Sequence, residues 1–441
     1  MKIKKSAKTG KAIFYPLWAS KSVSVAMGGM LIIQFTYYAT EYVGLSPAIV
    51  GIILLLSRLL DAVAGIAVGF LVDRTNTRFG KGRAYDLLLI PMWVSMVFLF
   101  SAPDFGMTGK VIYLWALFTL TSTVFMSLLG GGEAAYLSRA VHDNMQRAKV
   151  TSITGVLVML LCSIGGALLP QLMATLGMQT GGWQKIALIY AVPMSLIGMI
   201  RFLAIKEKPF AYESSVTDNQ KIGLKEGAKL VLRNRYIFIL AFAGLFCNLT
   251  VTLVTTIATY YFTYIIGNLG LMSFISMIGL LTPLLFLIFP IAVRSIGGMN
   301  FIRIGLVLAA LGNLIKLIDI TNIPLLVTGQ LLANGGTSAL LMMQGYFILQ
   351  IIDYGERKTG KRIDGLSSAV CALHGKIGAG LASVLIGIVL GAAGYMSLVH
   401  EQSERVMNVI VSLYTWIPAV LCVLILITIN FYDLEKKIKK G

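Results

Sequence analysis

The sequence predicts an all-α polytopic membrane protein with twelve transmembrane helices in two six-helix bundles. Apolar residues make up 57% of the 441 residues and charged residues 13%, whereas soluble domains carry about 25% charged residues. Mean hydropathy is +0.82, and apolar runs of about 20 residues, the length that crosses a bilayer, recur along the chain. A long polar segment interrupts these runs near the middle. This composition argues against a soluble enzyme and a soluble nucleic-acid-binding protein.

Twelve apolar runs are the candidate spans, in the order 18–40, 46–72, 85–102, 111–133, 150–177, 184–205, 237–265, 270–293, 300–318, 323–350, 366–395 and 406–432. The polar segment 206–235 lies between the sixth and the seventh. We therefore predict an amino-terminal bundle over 1–205, a central cytoplasmic loop over 206–235 and a carboxyl-terminal bundle over 236–441.

The positions of the basic residues predict the orientation in the membrane. The net charge is +18, and scoring alternate loops places 28 lysines and arginines on one side and three on the other, Lys110, Lys185 and Arg405. Because basic loops resist translocation, we expect both termini in the cytoplasm and the protein in the inner membrane. Short basic loops meet anionic lipid head groups. The charge therefore predicts a lipid bilayer as partner and no nucleic acid, and the lysine-rich amino terminus is interpreted as a cytoplasmic tail.

Metal, disulfide and enzyme chemistry have no support in the sequence. The four cysteines lie inside apolar runs with no CxxC pair, and they are Cys162, Cys247, Cys371 and Cys422. This pattern predicts neither a structural disulfide nor a metal site. The sequence contains no P-loop, GxSxG or HExxH motif, so we expect no cofactor and no enzymatic activity.

Charged residues inside the spans are the first candidates for function, because an ionisable side chain near the bilayer centre costs about 2.5–3.5 kcal/mol. Arg58 and Asp61 are three residues apart in span two and share a helix face. They form either a structural salt bridge or a coupling site, with Asp61 as the carboxylate that takes a proton or cation. Lys376 lies deep in span eleven and needs an anion or a cavity.

Four further charged residues lie at the ends of spans. Lys21 begins span one and either extends to the head groups or contacts a solute. Glu133 ends span four and is either a helix-end charge or part of a site. Lys316 and Asp319, three residues apart at the outer end of span nine, are interpreted as an interfacial ion pair.

Polar side chains follow one face of several spans. In span seven, Asn248 and Thr252 begin a stripe that continues through three more threonines at helical spacing. Span ten adds Asn334 and Gln344, and span one adds Tyr37. Such stripes serve either helix packing or the binding of a hydroxylated solute, and we expect these side chains to contact the solute.

Two segments of the sequence carry motifs that composition alone does not identify. The first, TYYATEYVGLSPAIVGIILLLSRLLDAVAGIAVGFLVDRTNTRFGKGRAY at 36–85, and the second, IIDYGERKTGKRIDGLSSAVCALHGKIGAGLASVLIGIVLG at 351–391, resemble motifs of the glycoside-pentoside-hexuronide:cation symporters of the major facilitator superfamily. The resemblance implies the major facilitator fold and transport of a sugar derivative coupled to a cation. Alternating access would then operate around a midplane site between the two bundles.

The resemblance also assigns individual residues. It implies a coupling site of Asp61, Arg58, Ser127 and Lys376, and it matches Lys21 and Ser22 to the sugar-binding part of helix one. The family's asparagine and second acid of helix two fall on Ala64 and Gly65. A sodium site would therefore lack ligands, and a proton carried by Asp61 fits better than sodium.

Charged residues of the cytoplasmic loops resemble the gate motifs of the family. They are expected to bias the equilibrium between inward-facing and outward-facing states without binding the solute. These residues are Asp73, Arg74, Lys81 and Arg83 in the first half, and Asp353, Glu356, Arg357 and Arg362 in the second.

The sequence as a whole predicts a monomeric secondary transporter that imports a glycoside, pentoside or hexuronide with a proton or, less favoured, sodium. Because the family's acids are missing while Lys21 and Lys376 are present, an anionic or amphipathic solute, such as a sulfonated sugar or a lysolipid, is the main alternative, as is export. A receptor or scaffold that has lost transport is a third reading.

Overall fold

A computed structural model describes residues 2–75, 77–80, 82–141, 144–206, 234–277, 281, 295–359, 364–399, 401–435 and 437. Within these ranges the chain is helical, and one isolated β bridge joins Thr77 and Gly80. The prediction of an all-α fold is confirmed. Nine helices in the described part are long and apolar enough to cross a membrane, judged by length and composition.

The helices are α1 (Lys2–Ile33), α2 (Pro47–Arg74), α3 (Leu89–Leu99), α4 (Met107–Phe118), α5 (Ser127–Ala140), α6 (Asn144–Leu176), α7 (Gly182–Ala204), α8 (Arg235–Tyr264), α9 (Met272–Met277), α10 (Gly298–Ile315), α11 (Ile323–Thr359), α12 (Asp364–Ala393), α13 (Glu404–Tyr414) and α14 (Trp416–Asn430). Each predicted span except the eighth falls on one or more of them. The eighth, 270–293, is described only at 270–277 and at residue 281.

Two spans contain π-helical segments. Tyr38–Tyr42 continues span one beyond α1, and Thr119–Met126 joins α4 to α5 within span four. A π-helical turn inserts an extra residue per turn and is frequent at functional sites. The segment in span four turns a row of hydroxyl side chains toward α2, as described below.

The chain divides into two compact units. The first comprises Met1–Glu213 with Asn268–Leu280, and the second comprises Ser214–Gly267 with Leu281–Gly441. In the first unit α9 and the turn before it accompany α6, where Gln171 Nε2 donates to the carbonyl of Gly270 at 3.0 Å. Most of the predicted central loop, 207–233, lies outside the described residues.

Each unit has its own packed interior. In the first, the rings of Trp18 and Tyr136 are 5.0 Å apart and tie α1 to α5. In the second, α10 and α11 cross at two glycine pairs, Gly305 with Gly336 and Gly312 with Gly329, where a side chain on either partner would meet the opposite backbone. Small residues at such crossings let helices approach closely within a membrane.

Candidate functional site

Asp61 is the centre of a polar contact between α2 and α5. It is 5% exposed, and Ser127 Oγ donates a hydrogen bond to its Oδ1 at 2.9 Å. Arg58 NH1 lies 3.8 Å from Asp61 Oδ2, which is ion-pair distance without a hydrogen bond. Within the described residues Arg58 Nε is buried and lacks a hydrogen-bond partner. The structure therefore brings together three of the four residues assigned to coupling.

A row of hydroxyl groups extends this contact along span four. Ser57 Oγ lies 2.8 Å from Thr119 Oγ1, and Thr123 Oγ1 donates to the carbonyl of Ser57 at 3.2 Å. Ser127 follows four residues later and reaches Asp61. Ser57, Thr119 and Thr123 were not predicted from the sequence. The signal that could have found them is the spacing of four between hydroxyl residues across the π-helical segment.

A second polar centre in the first unit is an ion network. Lys21 Nζ donates to Glu133 Oε2 at 2.8 Å and to the carbonyl of Leu129 at 2.7 Å. Arg201 NH1 donates to both carboxylate oxygens of Glu133 at 2.7 Å. The rest of the Arg201 guanidinium binds both oxygens of Asp86. The network joins α1, α5 and α7 to the 3₁₀ turn Arg83–Leu88.

Arg201 is held between two aromatic rings. Its Cζ lies 4.9 Å from the ring centroid of Trp18 and 4.9 Å from that of Tyr136, an arrangement that favours a cation. Neither Arg201 nor Asp86 was predicted from the sequence as a functional residue. Arg201 lies within a span and has no acid three or four residues away on its own helix, so a partner on another element was to be expected.

The predicted solute contacts of span one have different surroundings. Lys21 is 3% exposed, and its amino group binds Glu133 and Leu129, so these contacts add no support to a role in solute binding. Ser22 is half-buried. Tyr37 is buried, with its ring centroid 6.3 Å from that of Trp183. A role of these residues in binding stays a prediction.

In the second unit two of the predicted solute contacts border α12. Gln344 Nε2 lies 2.9 Å from Nε2 of His374, and His374 comes two residues before Lys376 on α12. A Cβ on Gly375 would lie 3.6 Å from the Asn248 side chain. Asn248 and Gln344 therefore border the part of α12 that carries Lys376. The half-buried Thr252 follows one turn after Asn248 on α8.

Asn334 belongs to a different cluster from Gln344. Its Oδ1 accepts from Gln330 Nε2 at 2.8 Å, and Gln330 Oε1 accepts from Lys316 Nζ. Lys316 also donates to Asn313 Oδ1 at 3.0 Å, and its Nζ lies 4.3 Å from the ring centroid of Tyr414.

The predicted interfacial pair of Lys316 and Asp319 is wrong. Lys316 is completely buried, while Asp319 is exposed and accepts hydrogen bonds from the backbone and hydroxyl of Thr321. The glycines of α10 and α11 bring the helices close enough to enclose the lysine, and amide oxygens rather than a carboxylate satisfy it.

The predicted gate residues are described only in part. Arg83 Nε and NH2 donate to the carbonyl of Phe202 at 3.0 and 2.6 Å, which satisfies an open carbonyl in the last turns of α7. Arg74, Asp353 and Arg357 are exposed and Glu356 is half-buried. The side chains of Asp73, Lys81 and Arg362 lie outside the described residues. Their role in gating stays a prediction.

Metal ligation finds no site in the described part of the chain, where no group of three or more His, Cys, Asp or Glu side chains could hold a metal ion. The polar clusters described above consist of hydrogen bonds and ion pairs.

Similar proteins of known sequence are transporters. The isoprimeverose transporter of Lactiplantibacillus pentosus is 29% identical over 408 residues, which cover 91% of this chain and 84% of that protein. The uncharacterized symporter YnaJ of Bacillus subtilis (strain 168) is 30% identical over 422 residues, covering 91% and 87%.

A solved structure supports the fold. The crystal structure of a bacterial homolog of the human lysosomal transporter Spinster matches with a TM-score of 0.67 at 14% identity, covering 95% of this chain and 96% of that one. The family described as MFS/sugar transport protein matches residues 21–436, so the resemblance drawn from the two segments is confirmed. The chain belongs to this family and is a multi-pass membrane transporter of small solutes, not an enzyme.

Proposed function

We propose that this transporter is a monomer of the inner membrane, with both termini in the cytoplasm, and imports a glycoside, pentoside or hexuronide together with a proton by alternating access. The observation that carries the coupling part is the buried carboxylate of Asp61 between Arg58 and Ser127. The sugar part is supported by the family and by the similarity to a transporter named for a sugar.

Asp61 is suited to coupling because its charge changes its contacts. Ionised, the carboxylate attracts Arg58 and accepts strongly from Ser127. Protonated, it no longer balances the guanidinium, and in a buried setting this change alters the relative free energy of the conformations that a coupled transporter must alternate between. We assign Lys376 as the electrostatic partner of this site in the transport cycle.

A proton is favoured over sodium by the supply of oxygen ligands. A hard cation needs several oxygen atoms around it. Ala64 and Gly65, one turn after Asp61, have no side-chain oxygen.

Uptake of isoprimeverose by proteoliposomes under an imposed proton or sodium gradient tests the proposal. We expect an inward proton gradient to drive accumulation in the wild type. Asp61→Asn should lose accumulation while retaining exchange of labelled for unlabelled sugar across the membrane. Asp319→Asn, which changes an exposed carboxylate in a loop, is the matched control.

Three results would overturn parts of the proposal. Accumulation that depends on sodium alone would replace the proton. Gradient-driven accumulation that persists in Asp61→Asn would remove Asp61 from coupling. Uptake of sulfonated sugars or lysolipids with no uptake of any glycoside, pentoside or hexuronide would favour the anionic or amphipathic class of solute.

A further inference from the structure

One member of the ion network in the first unit is open to its surroundings. The side chains of Lys21, Arg201 and Asp86 are 4%, 1% and 1% exposed, whereas that of Glu133 is 29% exposed. Whatever approaches the network therefore meets a carboxylate first. The two cations lie behind it.

The network is also neutral as a whole. Two cations, Lys21 and Arg201, bind two carboxylates, Glu133 and Asp86. Lys21 thus presents no net positive charge to a solute, because its charge is balanced by a hydrogen-bonded partner at 2.8 Å. An anionic solute would meet the carboxylate of Glu133 and be repelled by it.

Glu133 keeps capacity for one more hydrogen bond. A carboxylate has about four acceptor positions. Among the residues that the structure describes, Oε2 accepts from Lys21 and Arg201, and Oε1 accepts from Arg201 alone. The remaining position is on Oε1, and a hydroxyl group is a donor of the right size.

The face of α5 one turn before Glu133 is exposed at Gly130. Gly130 lies three residues earlier on α5 and is exposed, and a Cβ there would meet nothing within 4 Å. Glu133 is the last residue of the apolar span Met107–Glu133, and an ionised carboxylate at the end of a span is far less costly facing water than facing hydrocarbon. We therefore expect this face to be reached by water and solute rather than by lipid tails.

We propose that Glu133 Oε1 accepts a hydrogen bond from a hydroxyl group of the transported sugar, and that the network thereby selects neutral glycosides and pentosides over uronides and sulfonates. The inference depends on the proposed function, since it presupposes a sugar solute. It narrows that function to the uncharged members of the class.

The test is binding of isoprimeverose and its monodeoxy derivatives to the purified transporter by titration calorimetry. In the wild type, loss of one particular hydroxyl should weaken binding about 10- to 100-fold, as expected for a hydrogen bond to a charged group. Glu133→Gln should weaken binding of the intact sugar by a similar factor. In that variant, removal of the same hydroxyl should weaken binding less than about threefold, because the mutation and the deoxy substitution remove the same interaction.

A charge comparison needs no sugar library. The wild type should bind methyl β-D-glucopyranoside more tightly than the matching glucuronide, and Glu133→Gln should narrow or reverse this preference because it removes the negative charge at the opening.

Two further variants separate recognition from packing. Asp86→Asn removes the same charge from the same network at a position that is 1% exposed, so it should lower stability and leave the pattern of hydroxyl dependence unchanged. Glu133→Asp keeps the carboxylate and should keep that pattern with weaker affinity.

The outcomes are distinct. Suppose that the wild type binds isoprimeverose and that each deoxy substitution weakens binding to Glu133→Gln as much as it weakens binding to the wild type. In that case Glu133 is not the hydroxyl acceptor and the proposed function stands. If the wild type binds the glucuronide more tightly than the glucoside, the inference falls and the proposed function stands, because hexuronides belong to the proposed class of solutes. If the wild type transports no glycoside, pentoside or hexuronide, both fall.

Discussion

Ser127 Oγ donates a 2.9 Å hydrogen bond to Asp61 Oδ1 and so joins the start of α5 to the middle of α2 at a buried carboxylate. The two residues are 66 positions apart in the chain. The contact therefore joins one detail of helix packing, the hydroxyl group of Ser127, to the carboxylate that we assign to coupling.

Ser127→Ala should reduce proton-driven uptake of isoprimeverose by proteoliposomes. The lost hydrogen bond is worth about 1.5–3 kcal/mol, because its acceptor is a carboxylate. We expect roughly a tenfold fall in the initial rate of uptake. Ser127→Thr retains the hydroxyl and serves as the control, and an unchanged rate in Ser127→Ala would contradict the assignment.

Arg201→Met should destabilise the first unit severely. The substitution leaves Asp86 buried at 1% exposure with its ion-pair partner removed, and breaking a buried pair on one side costs about 3–5 kcal/mol. The double variant Arg201→Met/Asp86→Leu removes both charges and should recover part of the loss. Thermal unfolding in detergent measures both variants, and a double variant no more stable than the single one would argue against this account.

Gly329→Ala should lower the unfolding temperature by several degrees. A Cβ at this position would lie 2.9 Å from Lys316 Cγ and against the carbonyl of Gly312, and overpacking of this kind costs about 1–3 kcal/mol. Gly335→Ala on the same helix is the matched control, since a Cβ there meets nothing within 4 Å. Similar unfolding temperatures for the two variants would show that the crossing of α10 and α11 can relax.

Asp433 should contribute to stability in a pH-dependent way. It follows α14 and accepts from Tyr236 at 2.7 Å, from Arg235 at 2.6 Å and from Lys437 at 3.3 Å. The hydrogen bond from Tyr236 and these cations hold the pKa of Asp433 well below its usual value. Its stabilising effect is therefore present at neutral pH and is lost as pH falls through the lowered pKa.

The variant Asp433→Asn measures this contribution. Its unfolding temperature should lie slightly below that of the wild type at pH 7, and the gap should begin to narrow as pH falls below about 4, the ordinary pKa of an aspartate. The effect is small because solvent screens an exposed group. A gap that widens on acidification would contradict the sign of the linkage.

The all-helical fold follows from local properties, which is why the sequence predicted it. An apolar run of about 20 residues has few alternatives to a helix inside a bilayer, because every backbone amide and carbonyl must be satisfied within the segment. The pairing of Arg58 with Asp61 was equally local, since three residues on a helix place both on one face. Ser127 entered through the family resemblance and not through spacing.

The ion network and the burial of Lys316 were beyond the reach of the sequence. Arg201 and Asp86 are 115 positions apart, and no periodicity indicates which of many helix faces will meet. Lys316 looked interfacial by its position in the chain, yet the glycine crossing of α10 and α11 encloses it.

The sequence by itself thus determined an all-helical membrane transporter, its family and a carboxylate in span two, because hydropathy, helical spacing and motifs are properties of neighbouring residues. The tertiary structure alone decided that Lys21 is paired with Glu133 and that the exposed group of that network is an anion. The physical reason is that a buried charge takes its partner from whichever helix packs against it, and packing is settled by the whole fold.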